Sequence, residues 1–175
     1  MIELLWRWVA YVVTRPVVRD WIIDRAMRTP YSHIHSSDGE RLYMRRWWLF
    51  NPFDGSGRGG TYLRLHRWLP VSIRVHHIVR PDEDRHLHDH PWNARTIILK
   101  GSYREQREDG RSYHRHVGDT AKLRFGEYHR IDHVRRYDGA WTLFITYRYG
   151  GTWGFLVDGK KVPWREYLGV QDSTS

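Results

Sequence analysis

The chain has 175 residues, a formal net charge of +9 and no cysteine. This length suits one domain with its own hydrophobic core and is short for two. Without cysteine there is no disulfide, no thiolate ligand and no cysteine nucleophile, so any metal must bind to His, Asp or Glu. The hydrophobic fraction of 40%, with 10 Trp and 11 Tyr, excludes a disordered chain. A reducing, cytoplasmic location fits this composition.

Arginine supplies nearly all of the positive charge, which comes from 29 Lys and Arg against 20 Asp and Glu. The planar guanidinium binds carboxylate and phosphate groups through two parallel hydrogen bonds. We therefore expect an anionic partner, either a small molecule or, as the alternative, nucleic acid. The competing interpretation is a basic surface that only aids solubility.

The first predicted element is a helical extension over residues 1–30. Charges interrupt its apolar stretch, so neither a signal peptide nor a membrane span is expected. These charged residues are Glu3, Arg7, Arg15, Arg19 and Asp20. Pro16 should bend the amphipathic helix. We expect it to pack on the body of the protein or in a homodimer. The less favoured alternative is a membrane surface, with Trp6, Trp8 and Trp21 as exposed anchors.

Residues 31–167 are predicted to form one antiparallel β domain. Asp-Gly pairs, which favour hairpin turns, punctuate the region at Asp38-Gly39, Asp54-Gly55, Asp109-Gly110, Asp138-Gly139 and Asp158-Gly159. Between them lie strand-like runs: RLYMRRWWLF, TYLRLHRW, SIRVHHIV, ARTIILKGSY, SYHRHV, WTLFITYRY and TWGFLV. The fold class is therefore all-β, a barrel or sandwich behind an N-terminal helical segment. Residues 51–60 should form a flexible loop and residues 168–175 a flexible tail.

Three histidines alternate in the stretch RHLHDHPWNARTIILKGSY, at His86, His88 and His90. Alternate side chains of a strand share one face, so two neighbouring imidazoles can converge on one ion. His86 and His90 would lie about 13 Å apart along an extended chain, so one strand supplies two ligands at most. The best source of a third is GDTAKLRFGEYHRIDH, where the turn-forming Gly126 precedes His129.

These two stretches resemble the paired motifs of the cupin superfamily, which are small jelly-roll β-barrels. His88, His90 and Gly101 match the first motif, but Ala94 stands at the position of its glutamate. Gly118, Gly126 and His129 match the second, with Arg124 in place of its proline and His133 in place of its asparagine. The resemblance covers about residues 72 to 157 and implies a metal site of three histidines. HDHPW and the late WGF are also similar to small phage-encoded cupin-like proteins.

Three neutral imidazoles leave the full charge of a divalent ion uncompensated, which makes the site a stronger Lewis acid and a better anion trap. Fe(II), Zn, Mn and Ni all suit such a ligand set. His86 is expected to be exposed or to lie behind the ligands. Asp89, which points to the opposite face, should pair with an arginine. His133, placed on the face of His129 at i+4, is either a proton shuttle or a rim residue.

The remaining site candidates come from motif position. Tyr103 and Arg95 join His133 as candidate catalytic residues, and Arg124, Tyr147 and Trp153 are candidate substrate-binding residues. Ordinary barrel packing or a solvated face is the alternative for each.

The resemblance implies a metal-dependent enzyme, a dioxygenase or an isomerase, acting on an anionic carboxylate, phosphate or nucleotide compound. One alternative is a non-catalytic nucleic-acid or nucleotide binding module that uses Arg and aromatic residues of RLYMRRWW and HRIDHVRR. Another is a structural protein with a relict metal site.

Overall fold

The computed structural model describes residues 1–36, 39–51, 71–135 and 138–170. It begins with two helices, α1 (Ile2–Val13) and α2 (Pro16–Met27). The predicted bend is a break: Pro16 lacks an N–H group and begins the second helix at the position where that group is not needed. No helix within the described ranges is both long and apolar enough to cross a bilayer.

The rest of the described chain is almost entirely β. Its strands are β1 (Ile34–His35), β2 (Leu42–Phe50), β3 (Ser72–Ile78), β4 (Leu87–His88), β5 (Trp92–Gly101), β6 (Tyr103–Arg107), β7 (Ser112–Arg115), β8 (Thr120–Leu123), β9 (His129–Val134), β10 (Ala140–Tyr149), β11 (Gly154–Val157) and β12 (Lys160–Pro163). One further turn of helix, α3 (Trp164–Tyr167), was not predicted, because four residues are too few to show a helical period.

The strands form two antiparallel sheets of six. The first has the order β1-β2-β3-β10-β5-β8, and the second has the order β12-β11-β4-β9-β6-β7. Apolar side chains of both sheets meet in one cluster, which shows that the sheets face each other. The first sheet contributes Ile78, Ile98 and Ala140, and the second contributes Tyr103, Ile131 and Val134. The predicted all-β fold with an N-terminal helical segment is confirmed.

The two helices cover the other face of the first sheet. Ala10, Ile22 and Ala26 of the helices join a buried cluster with Ile97 and Leu143 of the sheet. Strand β5 is therefore buried on both faces over most of its length, between the helices and the second sheet. We call the surface towards the second sheet the inner face and the helix-covered surface the outer face.

The helical extension therefore packs on the body of the protein, which is one of the two arrangements that the sequence predicted for it. Trp6 contacts Tyr147 edge-on and is not exposed, contrary to its suggested place among surface anchors. Trp8 and Trp21 do lie exposed on the helices.

Turn chemistry agrees with the sequence at two informative places. Asp158 and Gly159 both adopt positive φ, at 48° and 74°, and join β11 to β12 as a tight hairpin. Gly101, the glycine of the first motif, has φ of 76°, and a Cβ atom there would lie 2.0 Å from the carbonyl oxygen of Gly139. Only glycine fits this crossing from the first sheet to the second.

Some expectations fall on residues outside the described ranges. These are most of the glycine-rich loop at 51–60, the predicted strand TYLRLHRW at 61–68, and the last five residues of the predicted tail.

Candidate metal centre

Strand pairing brings three histidines together on the inner side of the second sheet. His88 of β4 lies directly opposite His129 of β9, and His90 follows two residues after His88. The ring centroids of the three imidazoles are separated by 4.9 to 5.4 Å. One nitrogen of each ring lies within 4.8 Å of the others, and His90 Nε2 is 2.8 Å from His129 Nε2. The structure thus places the three predicted ligands in one cluster.

Two of these imidazoles, His88 and His90, are held in their neutral form. Burial lowers the pKa of His88 to about 4, with the charge of His129 acting in the same direction against the opposing effect of Asp82. Burial also lowers the pKa of His90 well below its usual range, assisted by the neighbouring His129 and His88. A neutral imidazole keeps a nitrogen lone pair, which is the form that binds a metal.

Glu105 of β6 sets the orientation of His129. Its Oε1 lies 3.0 Å from His129 Nδ1, and the carboxylate is 1% exposed. A carboxylate at Nδ1 favours the tautomer with its proton there, which leaves the Nε2 lone pair directed at His90. Many metal-binding histidines have the same arrangement, in which a carboxylate contacts one ring nitrogen and the other ring nitrogen is left to bind the metal.

Two arginines hold Glu105 in its charged form. Arg107 Nε is 2.7 Å and Arg115 Nε is 2.8 Å from the carboxylate. Burial alone would raise the pKa of Glu105, but the hydrogen bond from His129 and the charges of His129, Arg107 and Arg115 outweigh it and lower that pKa to about 2. The group behind His129 is therefore a permanent anion at neutral pH.

Asp82 takes a corresponding position behind His88. Its Oδ2 lies 3.9 Å from His88 Nδ1 and accepts a hydrogen bond of 2.7 Å from the Ile131 N–H group. Its other oxygen accepts a hydrogen bond from the Tyr43 hydroxyl. Two of the three histidines thus have a fixed carboxylate on their Nδ1 side.

The residues fit a divalent ion. Three neutral nitrogen donors around zinc at about 2.1 Å would lie about 3.4 Å from one another. The observed limit of 4.8 Å requires only small side-chain movements to reach that spacing. Three protein donors leave at least one coordination position for another ligand.

Asp89 anchors the segment between His88 and His90. It is fully buried, its Oδ1 accepts a hydrogen bond of 2.7 Å from Gly154 N–H, and its Oδ2 lies 2.6 Å from Lys161 Nζ. The expected ion pair is present, but its partner is a lysine of β12 and not an arginine. The sequence could not show this, because the pairing spans 72 residues.

Other residues of the first motif surround the cluster without joining it. His86 Nδ1 is 2.9 Å from the Tyr167 hydroxyl of α3, so this histidine lies behind the site. Ala94, at the position of the cupin glutamate, is buried with Leu123 and Phe144.

Of the other candidate residues, Trp153 lies near the histidine cluster and Tyr103 lies in the core between the sheets. The Trp153 ring is 6.1 Å from the His88 ring and stacks on Trp164. Tyr103 is buried between the sheets, where burial raises the pKa of its hydroxyl.

His133 lies elsewhere. A bulge in the pairing of β9 with β6 places it opposite Arg104 and turns it to solvent, so it does not share the face of His129 as the i+4 spacing suggested.

Three further candidates are remote from the histidine cluster. Arg95 lies on the outer face of β5, where its guanidinium donates hydrogen bonds of 2.6 and 3.0 Å to Glu3 of α1. Tyr147 packs beneath the same helix. Arg124 is exposed in the turn before β9 and lies beside Glu127. The motif frame located these residues in sequence but did not say which face of the strand each would take.

Sequence reasoning missed the carboxylates behind the ligands. Tyr103, Glu105 and Arg107 occupy every second position of β6 and so share one face. The inward direction of Glu105 could therefore be predicted from the strand period. Nothing local indicated that β6 would lie beside β9.

A cavity of about 460 Å³ also opens at the edge of the sandwich, and its lining includes Arg107, Arg115, Lys122 and Tyr128.

Comparison with known proteins gives a likeness of structure only. No family model matches the chain, and no curated protein matches it. It is similar to a cupin-like protein from Thermotoga maritima, with 15% identity over 83% of this chain and 96% of that one and a TM-score of 0.47. A cupin 2 conserved barrel domain protein from Rhodopseudomonas palustris gives 14% identity over 74% and 77% of the two chains, with a TM-score of 0.47.

A structure of DMSP lyases is similar over 69% of this chain at 14% identity, with a TM-score of 0.49. This chain spans 57% of that protein's length. The two facing antiparallel sheets, the Gly101 crossing and the histidine cluster are features of this chain itself, and they agree with the resemblance found in its two motifs. The chain therefore has two facing antiparallel sheets with a three-histidine cluster between them.

Proposed function

We propose that this chain is a divalent-metal-dependent, cupin-like enzyme that acts on an anionic small molecule, by oxygenation or isomerisation of a carboxylate, phosphate or nucleotide compound. His88, His90 and His129 would bind the ion. The observation that carries this proposal is the convergence of three imidazoles. His88 and His90 are half-buried with lowered pKa values, and His129 is buried with the charged carboxylate of Glu105 beside its Nδ1.

The bound ion would supply Lewis acidity, and the chain's own groups would do the rest. Glu105 holds His129 in the tautomer that binds, and Asp82 faces Nδ1 of His88. Asp89 and Lys161 hold the segment that carries His88 and His90 in place. No carboxylate ligand neutralises the ion within this set, which favours an anionic substrate.

Fe(II), Zn, Mn and Ni remain the candidate ions, since imidazole suits all of them. The experiment is elemental analysis of the purified chain after incubation with each metal and removal of the excess. We expect one equivalent of metal in the parent and in His86→Ala, which is the matched control. His90→Ala and His129→Ala should each lose it.

Retention of stoichiometric metal by a His88→Ala, His129→Ala double variant would place the ion elsewhere and overturn the proposal. If the parent protein retains a metal and the double variant does not, turnover of small carboxylates and phosphates by the metal-loaded parent then tests catalysis.

The nucleic-acid alternative is less well supported. Binding to phosphates needs exposed cations and stacking rings but not three converging histidines. A binding constant for single-stranded DNA that falls steeply with added salt, together with full activity of His129→Ala in that binding, would favour it instead.

A further inference from the structure

Besides Arg95 on the outer face, the first sheet has a buried cation on its inner face. Arg74 of β3 is 6% exposed, and its Nε atom has no hydrogen-bond partner among the described residues. Within residues 1–36, 39–51, 71–135 and 138–170, no carboxylate pairs with it. A buried charge without a counter-charge is costly, and native proteins usually pair it.

Aromatic rings take the place of a counter-ion. The guanidinium carbon of Arg74 is 4.5 Å from the centre of the Trp48 ring, 4.7 Å from that of Trp92 and 5.5 Å from that of Tyr31. Ring faces attract a cation but do not accept the in-plane hydrogen bonds of its N–H groups. The rings therefore stabilise the charge, while Nε stays without a hydrogen-bond partner among the described residues.

The environment of Arg74 is dry enough to affect its protonation. Burial lowers the pKa of Arg74 to about 10, and the nearby Arg46 acts in the same direction. The side chain remains a cation at neutral pH.

A second unsatisfied polar atom lies two residues further along the strand. His76 shares the inner face with Arg74 and is 8% exposed, and its Nε2 has no hydrogen-bond partner in the described part of the chain. Its ring stacks on Phe144 with centroids 5.0 Å apart, and Phe144 also lies 5.6 Å from the ring of His90. Arg74 and His76 therefore adjoin the histidine cluster across one phenyl ring.

We propose that Arg74 and His76 form the anion-binding end of the substrate site and receive a carboxylate group. This deepens the proposed function, on which its catalytic meaning rests, by naming the substrate class and the residues that anchor it. A carboxylate matches the guanidinium fork in two-point geometry and, with a single negative charge, balances one arginine.

The experiment measures binding of acetate and of inorganic phosphate to the full-length, metal-free chain at constant ionic strength, with chloride as the reference anion. Trp48 and Trp92 adjoin the site, so tryptophan fluorescence reports occupancy, and calorimetry gives the stoichiometry. We expect one acetate site and an affinity for acetate about 10- to 100-fold weaker in Arg74→Met, as for loss of a charged hydrogen-bonding partner. Arg45→Met, a charge-matched change on the exposed side of β2, should bind as the parent does.

Two further variants keep the test decisive if Arg74→Met does not fold. Arg74→Lys retains the charge but loses the fork, so it should weaken acetate binding. His76→Phe retains the stack on Phe144 but loses Nε2, and should weaken binding to a smaller extent. Unchanged acetate affinity in Arg74→Met or Arg74→Lys would overturn the proposal, as would tighter binding of phosphate than of acetate.

The metal and anion proposals fail separately. The His88→Ala, His129→Ala double variant should still bind acetate, because Arg74 and His76 are untouched. Arg74→Met should still retain metal. Loss of acetate binding only when the edge-cavity residue Lys122 is changed would place the anion there and overturn the assignment to Arg74.

Discussion

Arg74 and Arg95 are buried to almost the same extent, at 6% and 4% exposure, on opposite faces of the same sheet. On the outer face Arg95 is paired with Glu3, whereas on the inner face Arg74 is surrounded by aromatic rings and has no carboxylate partner among the described residues. The outer face satisfies its polar groups within the chain, which is what a structural contact requires. The inner face leaves Arg74 Nε and His76 Nε2 without a partner among the described residues, beside the three histidines. This contrast supports the proposal that a ligand completes the inner face.

Glu105, a buried carboxylate of the second sheet, gives the largest expected effect because three side chains contact it. Glu105→Ala removes the counter-charge of Arg115, the nearer carboxylate at Arg107 and the group that orients His129. We expect a loss of about 3 to 5 kcal/mol in the free energy of unfolding. Urea denaturation followed by circular dichroism measures it.

Glu108→Ala is the control, since Glu108 is exposed and its removal should change stability by less than about 0.5 kcal/mol. A third variant, Glu105→Gln, separates the effect on metal binding from the effect on stability. At temperatures where Glu105→Gln is folded, its metal affinity should be about 10- to 100-fold weaker than that of the parent. Equal stability of parent and Glu105→Ala would show that the buried network is not formed in solution.

The two arginines themselves give the next effect. Arg95→Met removes an ion pair and should lower the free energy of unfolding by about 1 to 3 kcal/mol. Arg74→Met replaces a buried cation without a carboxylate partner by an apolar chain among aromatic rings, so stability should stay equal or rise. Thermal melts of both variants at one ionic strength compare them. A larger loss in Arg74→Met than in Arg95→Met would mean that Arg74 is mainly structural.

The same contrast shows what could be predicted from the sequence. Alternation of side chains and the Asp-Gly turns indicated an antiparallel β fold, and the spacing of His88, His90 and His129 indicated their convergence. Those signals are local or belong to a motif. Which charged side chain meets which partner depends on strand order, and pairs such as Arg95 with Glu3 are 92 residues apart. The motif positions of Arg95 and Tyr147 therefore suggested a cleft, although both side chains lie under the helix.

His133 shows a second limit, the strand bulge. A period of two residues assigns His129, Ile131 and His133 to one face, but the bulge shifts the register and turns His133 outward. His133→Ala should leave the metal stoichiometry unchanged and alter stability by less than about 0.5 kcal/mol. Elemental analysis beside His129→Ala checks this, and loss of metal from His133→Ala would show that the bulge is absent in solution.

A further expected effect depends on pH and concerns His77 on the outer face, next in sequence to the inner His76. His77 stacks on Trp141 at 4.2 Å, and its Nε2 is 3.0 Å from the carbonyl oxygen of Asp138. Burial lowers its pKa, and the charges of Arg45 and Lys100 act with burial against the opposing effect of Asp138. The unfolded chain, with a histidine pKa near 6.5, therefore binds the proton more readily than the folded chain. Stability must fall as the pH drops below about 6.5, because protonation then favours the unfolded state.

Phenylalanine at this position keeps the stack and removes the titration. The difference in unfolding free energy between parent and His77→Phe should therefore shift in favour of the variant between pH 7 and pH 5, by less than about 1 kcal/mol for a half-buried group. Urea melts of both proteins at each pH isolate this histidine, because every other titrating group is common to the two chains. A difference independent of pH would mean that His77 titrates alike when folded and unfolded. The polar groups of the outer face would then be as accessible to water as those of the unfolded chain, and the contrast with the inner face would rest on Arg74 alone.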